Sequence, residues 1–175
     1  MAVDAALIEA HIPGLRRFAS ALHRGDRERA DDLVQDCLER ALSRWQSRRP
    51  DGDLRGWLYT ILYNRFLTDQ QRQKRRGIHG ELAEAVESDR LVVKGGQEAA
   101  LEHRDLLRAF AVLPEEQRSV LVLVGVEDLS YDEAARVLGV PIGTVMSRLS
   151  RGRERLRQLL NKDVEPSGEK PRNIE

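Results

Sequence analysis

The stretch Leu129–Leu160, "LSYDEAARVLGVPIGTVMSRLSRGRERLRQLL", decides the fold. Ser130 to Glu133 has the spacing of a capping box: a serine side chain accepts from a first-turn amide, and a glutamate three residues on reaches back to the serine N–H. This predicts a helix starting near Tyr131 with Ala134, Ala135, Val137 and Leu138 as its inner face. The two alanines are small enough to let a second helix come close. Gly139 suits a left-handed stop, and Pro141 suits the first turn of the next helix. Two helices joined by a tight, glycine-containing turn make a helix-turn-helix.

On the second helix Ile142, Val145, Leu149, Gly152, Leu156 and Leu159 step by three and four, which predicts its buried face. Thr144, Arg148, Arg151 and Arg155 form a strip on one flank. Ser147 and Ser150 lie nearly opposite the core, Met146 and Ser150 face outward, and Arg153 and Arg157 take the other flank. Twenty-nine basic and 29 acidic residues cancel over the whole chain, so this helix concentrates positive charge that the total conceals. A protein with no net charge does not coat nucleic acid by bulk attraction, and any contact must be local. With its first turns in a major groove, the helix would bring Thr144, Ser147 and Arg151 to base edges and the flanking arginines to phosphates. On charge alone a solvated face with Glu154 paired to Arg151 or Arg157 is an equal alternative. The cap, the alanine face, the glycine turn and the proline start together favour DNA.

Upstream, Leu15, Phe18, Ala19 and Leu22 form an amphipathic helix behind Pro13. Ala30, Leu33, Val34, Cys37, Leu38, Ala41, Leu42 and Trp45 form a second, opened by Gly25-Asp26. After the turn "RRPDGD", Leu54, Trp57, Leu58, Ile61, Leu62 and Phe66 form a third that ends in the basic "QQRQKRRG". Three such stripes can bury one another as a bundle. Residues 97–113 and the segment after Pro114 read as further helices. "SVLVLVGV" (Ser119–Val126) is helix rather than strand, because Leu113, Val120, Leu121 and Val124 keep helical spacing. The fold class is therefore all-α: two small helical domains, residues 1–76 and 97–161, with a flexible linker at 77–96 and a disordered tail at 162–175. The C-terminal domain is expected to hold four helices.

Cys37 is the lone cysteine and falls on an apolar stripe, so no disulfide and no thiolate metal cluster is expected. His11, His23, His79 and His103 are scattered, and no activated nucleophile is evident. These patterns predict no metal, no cofactor and no enzymatic activity. The N-terminus lacks a basic segment followed by an apolar run, and the most apolar stretch is too short to span a bilayer, so a cytoplasmic protein without direct membrane insertion is expected.

Leu129–Leu160 resembles the fourth conserved region of bacterial RNA polymerase sigma factors of the small extracytoplasmic-function (ECF) class. "RADDLVQDCLERALSRW" (Arg29–Trp45) resembles their second region, and "LRGWLYTILYNRFLTDQQRQKRR" (Leu54–Arg76) the helix after it. The resemblance implies a subunit that binds core RNA polymerase, directs it to promoter DNA and helps open the duplex. It is usually held inactive by an anti-sigma factor, often membrane-anchored. Asp32, Gln35, Asp36 and Glu39 match positions that contact the polymerase clamp. The loop carrying Arg48 and Arg49 matches the place where an unstacked minus-ten base is captured, Asn64 and Arg65 face the promoter strand, and Arg72, Lys74, Arg75 and Arg76 extend a basic track. Tyr59 and Tyr63, off the main stripe, are candidates for base stacking, whereas Trp57 falls on the stripe. Thr144, Met146, Ser147, Arg148, Ser150, Arg151 and Arg155 would face the minus-thirty-five element. Met146 and Ser150 depart from the family's usual residues, so no base preference carries over. A stand-alone helix-turn-helix repressor or activator is the alternative, and it leaves the acidic strip and the basic end of the third helix unexplained.

Overall fold

A computed structural model of the chain describes residues 5–49, 52–77 and 97–162; the expected linker, apart from Gly77, and the tail beyond Lys162 lie outside the described residues. Helices α1 (Ala5–Glu9), α2 (Ile12–Leu22), α3 (Arg27–Ser43) and α4 (Leu54–Arg75) form the N-terminal group, with a 3-10 turn at Trp45–Ser47. Helices α5 (Gln97–Val112), α6 (Glu115–Gly125), α7 (Tyr131–Leu138) and α8 (Ile142–Lys162) form the C-terminal group. No strand occurs among the described residues.

Local chemistry accounts for the element ends. The Asp26 carboxylate caps α3 by accepting from the Arg29 N–H at 3.1 Å. Ser130 and Glu133 form the expected box, with the Glu133 N–H donating to Ser130 Oγ at 3.2 Å and the Ser130 N–H donating to Glu133 Oε2 at 2.7 Å. Gly139 closes α7 at φ +65°, where a side chain would be strained, and the Val140 N–H returns to the Ala135 carbonyl at 3.1 Å.

The predicted stripes of α2 and α3 are buried at Leu15, Phe18, Ala19, Leu22, Ala30, Leu33, Val34, Cys37 and Ala41. Leu42 is a correction: it is exposed, because it lies beyond the edge of the arc centred on Ala30, Val34, Cys37 and Ala41. Burial pushes the Cys37 thiol up to about 12, as expected for a core residue. Trp45 packs edge-on against Trp57, and Trp57 sits at the margin of the core.

α6 is helical, and its continuous apolar run Val120–Leu123 has a physical reason. α2 packs on one side of it and α8 on another, so residues all round the helix are buried. α7 likewise packs on α4. The two groups thus meet along two helix pairs, and the buried apolar residues of both join in one cluster.

Candidate nucleic-acid interface

α8 presents the basic face. Val145 and Leu149 are buried beneath it, and the backbone at Gly152 lies so close to α6 that a Cβ there would stand 2.9 Å from Leu121 Cδ1. Outward stand Met146, Ser150, Arg151, Arg153 and Arg155, all exposed. No ion pair engages Arg151, Arg153 or Arg155 among the described residues, so their charge is open to solvent. Arg157 is tied to Glu154, which also accepts from Gln158 at 3.0 Å. Thr144 and Ser147 are half-buried, and the Ser147 hydroxyl donates to the Thr144 carbonyl at 3.1 Å.

Two expectations for α8 are corrected. Ile142 is exposed rather than buried; it stands one turn ahead of Val145, the first residue of α8 sealed in the core. Arg148 does not stand in the outward strip. Its side chain is only 19% exposed and reaches Glu116 on α6 at 3.4 Å, since its position turns toward the α6 side of the helix.

In the N-terminal group, Asp32, Gln35 and Glu39 form an exposed strip on α3, and Gln35 Nε2 donates to Glu39 Oε1 at 3.0 Å. Asp36 and Arg65, read from sequence as facing different partners, are joined by an ion pair at 2.8 Å from Nη2; the Asp69 carboxylate stands 3.1 Å from Nε of the same guanidinium. An open depression of about 390 Å³ lies beside this pair, lined by Asp36, Glu39, Arg40, Ser43, Arg44 and Arg65. Arg48 lies over the Trp45 ring at 5.1 Å and donates to the Gly52 carbonyl at 3.1 Å. Arg49 and Asn64 are exposed, as are Arg72, Lys74, Arg75 and Arg76 at the end of α4.

Tyr59 and Tyr63 are a further correction. Neither is off the packed surface: Tyr59 is 1% exposed and Tyr63 5%. α4 is buried on two sides, by its own bundle and by the C-terminal group, so its apolar arc is wider than one stripe. Tyr59 packs against Phe18 with ring centres 5.6 Å apart and donates its hydroxyl to Glu127 Oε2 at 2.8 Å. Tyr63 donates to Glu115 Oε1 at 3.2 Å. Burial first, then the neighbouring carboxylate, raises the phenol of each well above its ordinary value.

Sequence reasoning passed over the groups that hold these tyrosines. Glu127, in the α6–α7 turn, is only 4% exposed, and Arg17 grips it with two bonds, Nε to Oε1 at 2.6 Å and Nη2 to Oε2 at 3.0 Å. Arg55 donates to the Glu127 carbonyl and stands 3.9 Å from its carboxylate. Burial alone would push the Glu127 carboxyl up, but the bonds from Arg17 and Tyr59 outweigh it and hold it below the usual range. Arg118, nearly sealed from solvent, donates to the carbonyls of Leu113 at 2.7 Å and of Leu22 at 3.4 Å, the latter across the seam between the two groups. Burial pulls its guanidinium down to about 10.

Among the described residues there is no group of three or more His, Cys, Asp or Glu side chains able to hold a metal ion, and no helix long and apolar enough to cross a membrane.

Residues 8–63 match the family described as the Sigma2 domain of PhyR, and residues 103–156 match Sigma-70, region 4. The chain is similar to the ECF RNA polymerase sigma factor EcfG of Rhodopseudomonas palustris, 42% identical over 158 residues, covering 89% of this chain and 84% of that one. It is also similar to the ECF RNA polymerase sigma factor SigM of Mycobacterium tuberculosis, 35% identical over 172 residues with 90% and 84% covered. Among solved structures, the sigma factor RpoE in complex with the anti-sigma factor NepR from Bartonella quintana matches with a TM-score of 0.74 at 33% identity, covering 91% of this chain and 97% of that one. CnrH in complex with the cytosolic domain of CnrY matches with a TM-score of 0.65 at 27% identity, covering 91% and 88%.

Proposed function

Since this chain belongs to the ECF RNA polymerase sigma factors, we propose that its two helical groups divide the work of starting transcription between them. It is an alternative sigma factor, a regulator of transcription that binds core RNA polymerase and directs it to promoters. The C-terminal group, residues 97–161, recognises the minus-thirty-five element. Ser147, Ser150 and Arg151 approach base edges, with Thr144 and Met146 beside them. Arg155 meets phosphate, and Arg148 joins it once released from Glu116. The N-terminal group, residues 1–76, carries the polymerase-facing strip Asp32, Gln35, Asp36 and Glu39. It also carries the minus-ten surface of Arg48, Arg49, Asn64, Arg65, Arg72, Arg75 and Arg76. The linker of residues 77–96 sets the reach between them.

The observation that carries this reading is the set of exposed arginines on α8, Arg151, Arg153 and Arg155, that no ion pair engages among the described residues, mounted on a capped helix-turn-helix. A helix in this position with Arg151 and Arg155 unpaired has charge to give to phosphates without first breaking ion pairs. The chain acts in the cytoplasm and performs no catalysis of its own; bond making belongs to the polymerase. An anti-sigma factor restrains it. That inference is supported by its likeness to RpoE, solved with the anti-sigma factor NepR.

The test is run-off transcription with purified core polymerase over genomic fragments. The reading requires discrete starts that depend on this chain. Tight dimeric binding to a palindrome without polymerase, and no starts with it, would establish a stand-alone repressor or activator instead.

A further inference from the structure

The α6–α7 turn is tied to the N-terminal group by a set of contacts that the recognition of DNA does not use. Among the described residues, every group bonded or paired to the Glu127 side chain comes from the other half of the molecule: Arg17, 110 residues away in sequence, and Tyr59, 68 away, with Arg55 at the rim. The turn itself aims the carboxylate. The Glu127 N–H is held by the Val122 carbonyl at 2.9 Å, and Asp128 takes a positive φ of 52°. The seat has a floor that only glycine allows. A Cβ on Gly14 would overlap the Tyr59 hydroxyl and stand 2.6 Å from Glu127 Oε2. Arg118 and Tyr63 add two more ties across the same seam, to the Leu22 carbonyl and to Glu115.

We infer that Glu127 is an intramolecular latch: seated against Gly14 between Arg17 and Tyr59, it closes the C-terminal group onto the α2–α4 face, covers Tyr59 and Tyr63, and holds α8 at one fixed separation from the exposed polymerase and minus-ten surfaces, a separation that must change before polymerase engages both groups. The inference rests on the sigma-factor reading for what opening accomplishes, but not for the latch itself. An ion pair with a buried carboxylate and a half-exposed guanidinium suits such a device. Part of its attraction is offset by the water that Glu127 gives up, and its two-bond geometry specifies one closed arrangement. The chain therefore closes on itself with no second protein present, and an inhibitor that binds the closed form would stabilise an arrangement the chain already contains.

Two substitutions of unrelated chemistry test this in the full-length chain. Glu127→Lys sets a cation against Arg17 and Arg55. Gly14→Ala wedges the seat while, by helix propensity, favouring α2 itself. Nitroxide labels on Glu28→Cys and Arg104→Cys, exposed positions on α3 and α5, report the separation of the groups by pulsed dipolar spectroscopy; the buried Cys37 stays in place. The parent chain should give one narrow distance, and both variants a longer and broader distribution with helix content unchanged by circular dichroism. Association with core polymerase below saturation should be on the order of tenfold faster in both variants, the size of a typical coupling between two states. Folded variants that keep the parent distance would overturn the latch, as would variants that open yet associate no faster. Binding of the parent chain to core polymerase tests the sigma-factor reading independently, because the distance measurement uses no polymerase.

Discussion

Replacing Arg151 by alanine separates reading of sequence from grip on phosphate. Ile142 begins α8. At a rise of about 1.5 Å per residue Arg151 lies roughly 14 Å along the axis and Arg155 roughly 20 Å. A major groove is about 12 Å wide, so a helix entering by its first turns keeps Arg151 within reach of base edges and carries Arg155 out over the backbone wall. A good bidentate contact to a base is worth about 1–3 kcal/mol of discrimination, or roughly 5- to 150-fold in affinity. Arg151→Ala should cost that much on the preferred minus-thirty-five sequence and little on a duplex substituted at the base it reads. Arg155→Ala should instead weaken all sequences alike and reduce the salt slope by about 0.9. Its deficit should then shrink by about 3.5-fold between 50 and 200 mM salt. Fluorescence anisotropy of labelled promoter duplexes with the assembled holoenzyme, over a salt series, measures both. If Arg151→Ala weakens every sequence equally with a changed slope, the geometry assigned to α8 is wrong.

Charge reversal at Asp36 should lower affinity for core polymerase, measured by surface-immobilised binding, while leaving the melting temperature nearly unchanged. Its pair with Arg65 is partly exposed, and such pairs contribute about 0–1 kcal/mol; unchanged affinity would remove Asp36 from the interface. Ser130→Ala should cost about 1 kcal/mol by removing the cap of α7, a fall of about 2–4 °C in the melting temperature of a chain this size, and no loss would mean the box is not formed in solution. Glu127 has a folded pKa below its unfolded one, so its contribution to the closed arrangement is complete above the ordinary carboxylate range and disappears as pH falls through the lower, folded value. An acid titration followed by tyrosine absorbance should show opening there in the parent chain, and a Glu127→Gln chain should lack that step.

What could be read from the sequence was whatever chemistry lies within a few residues. The Ser130–Glu133 box, the Gly139 stop and the Pro141 start needed no knowledge of distant packing, and all formed as spaced. The same holds for the α2 stripe, for the α3 stripe apart from Leu42, and for the helical state of Ser119–Gly125. Tyr59 and Tyr63 were misplaced because one stripe was assumed to define the buried side of α4, whereas a second partner covers another. Glu127 looked like an ordinary turn acid, since nothing near it in sequence signals burial and its partners lie 68 to 110 positions away. A weak signal existed: α6 is apolar on more sides than a single neighbouring helix can cover, which already asks for cover from outside its own group.

That surplus of apolar surface on α6 has a cost for the cell. Whenever the halves part, the side of α6 that α2 normally keeps dry faces water, and bare strips of this kind invite self-association. Unpartnered open chains would then be removed by precipitation or quality control, so the number ready to start transcription at any moment would track how much free polymerase is there to shelter them.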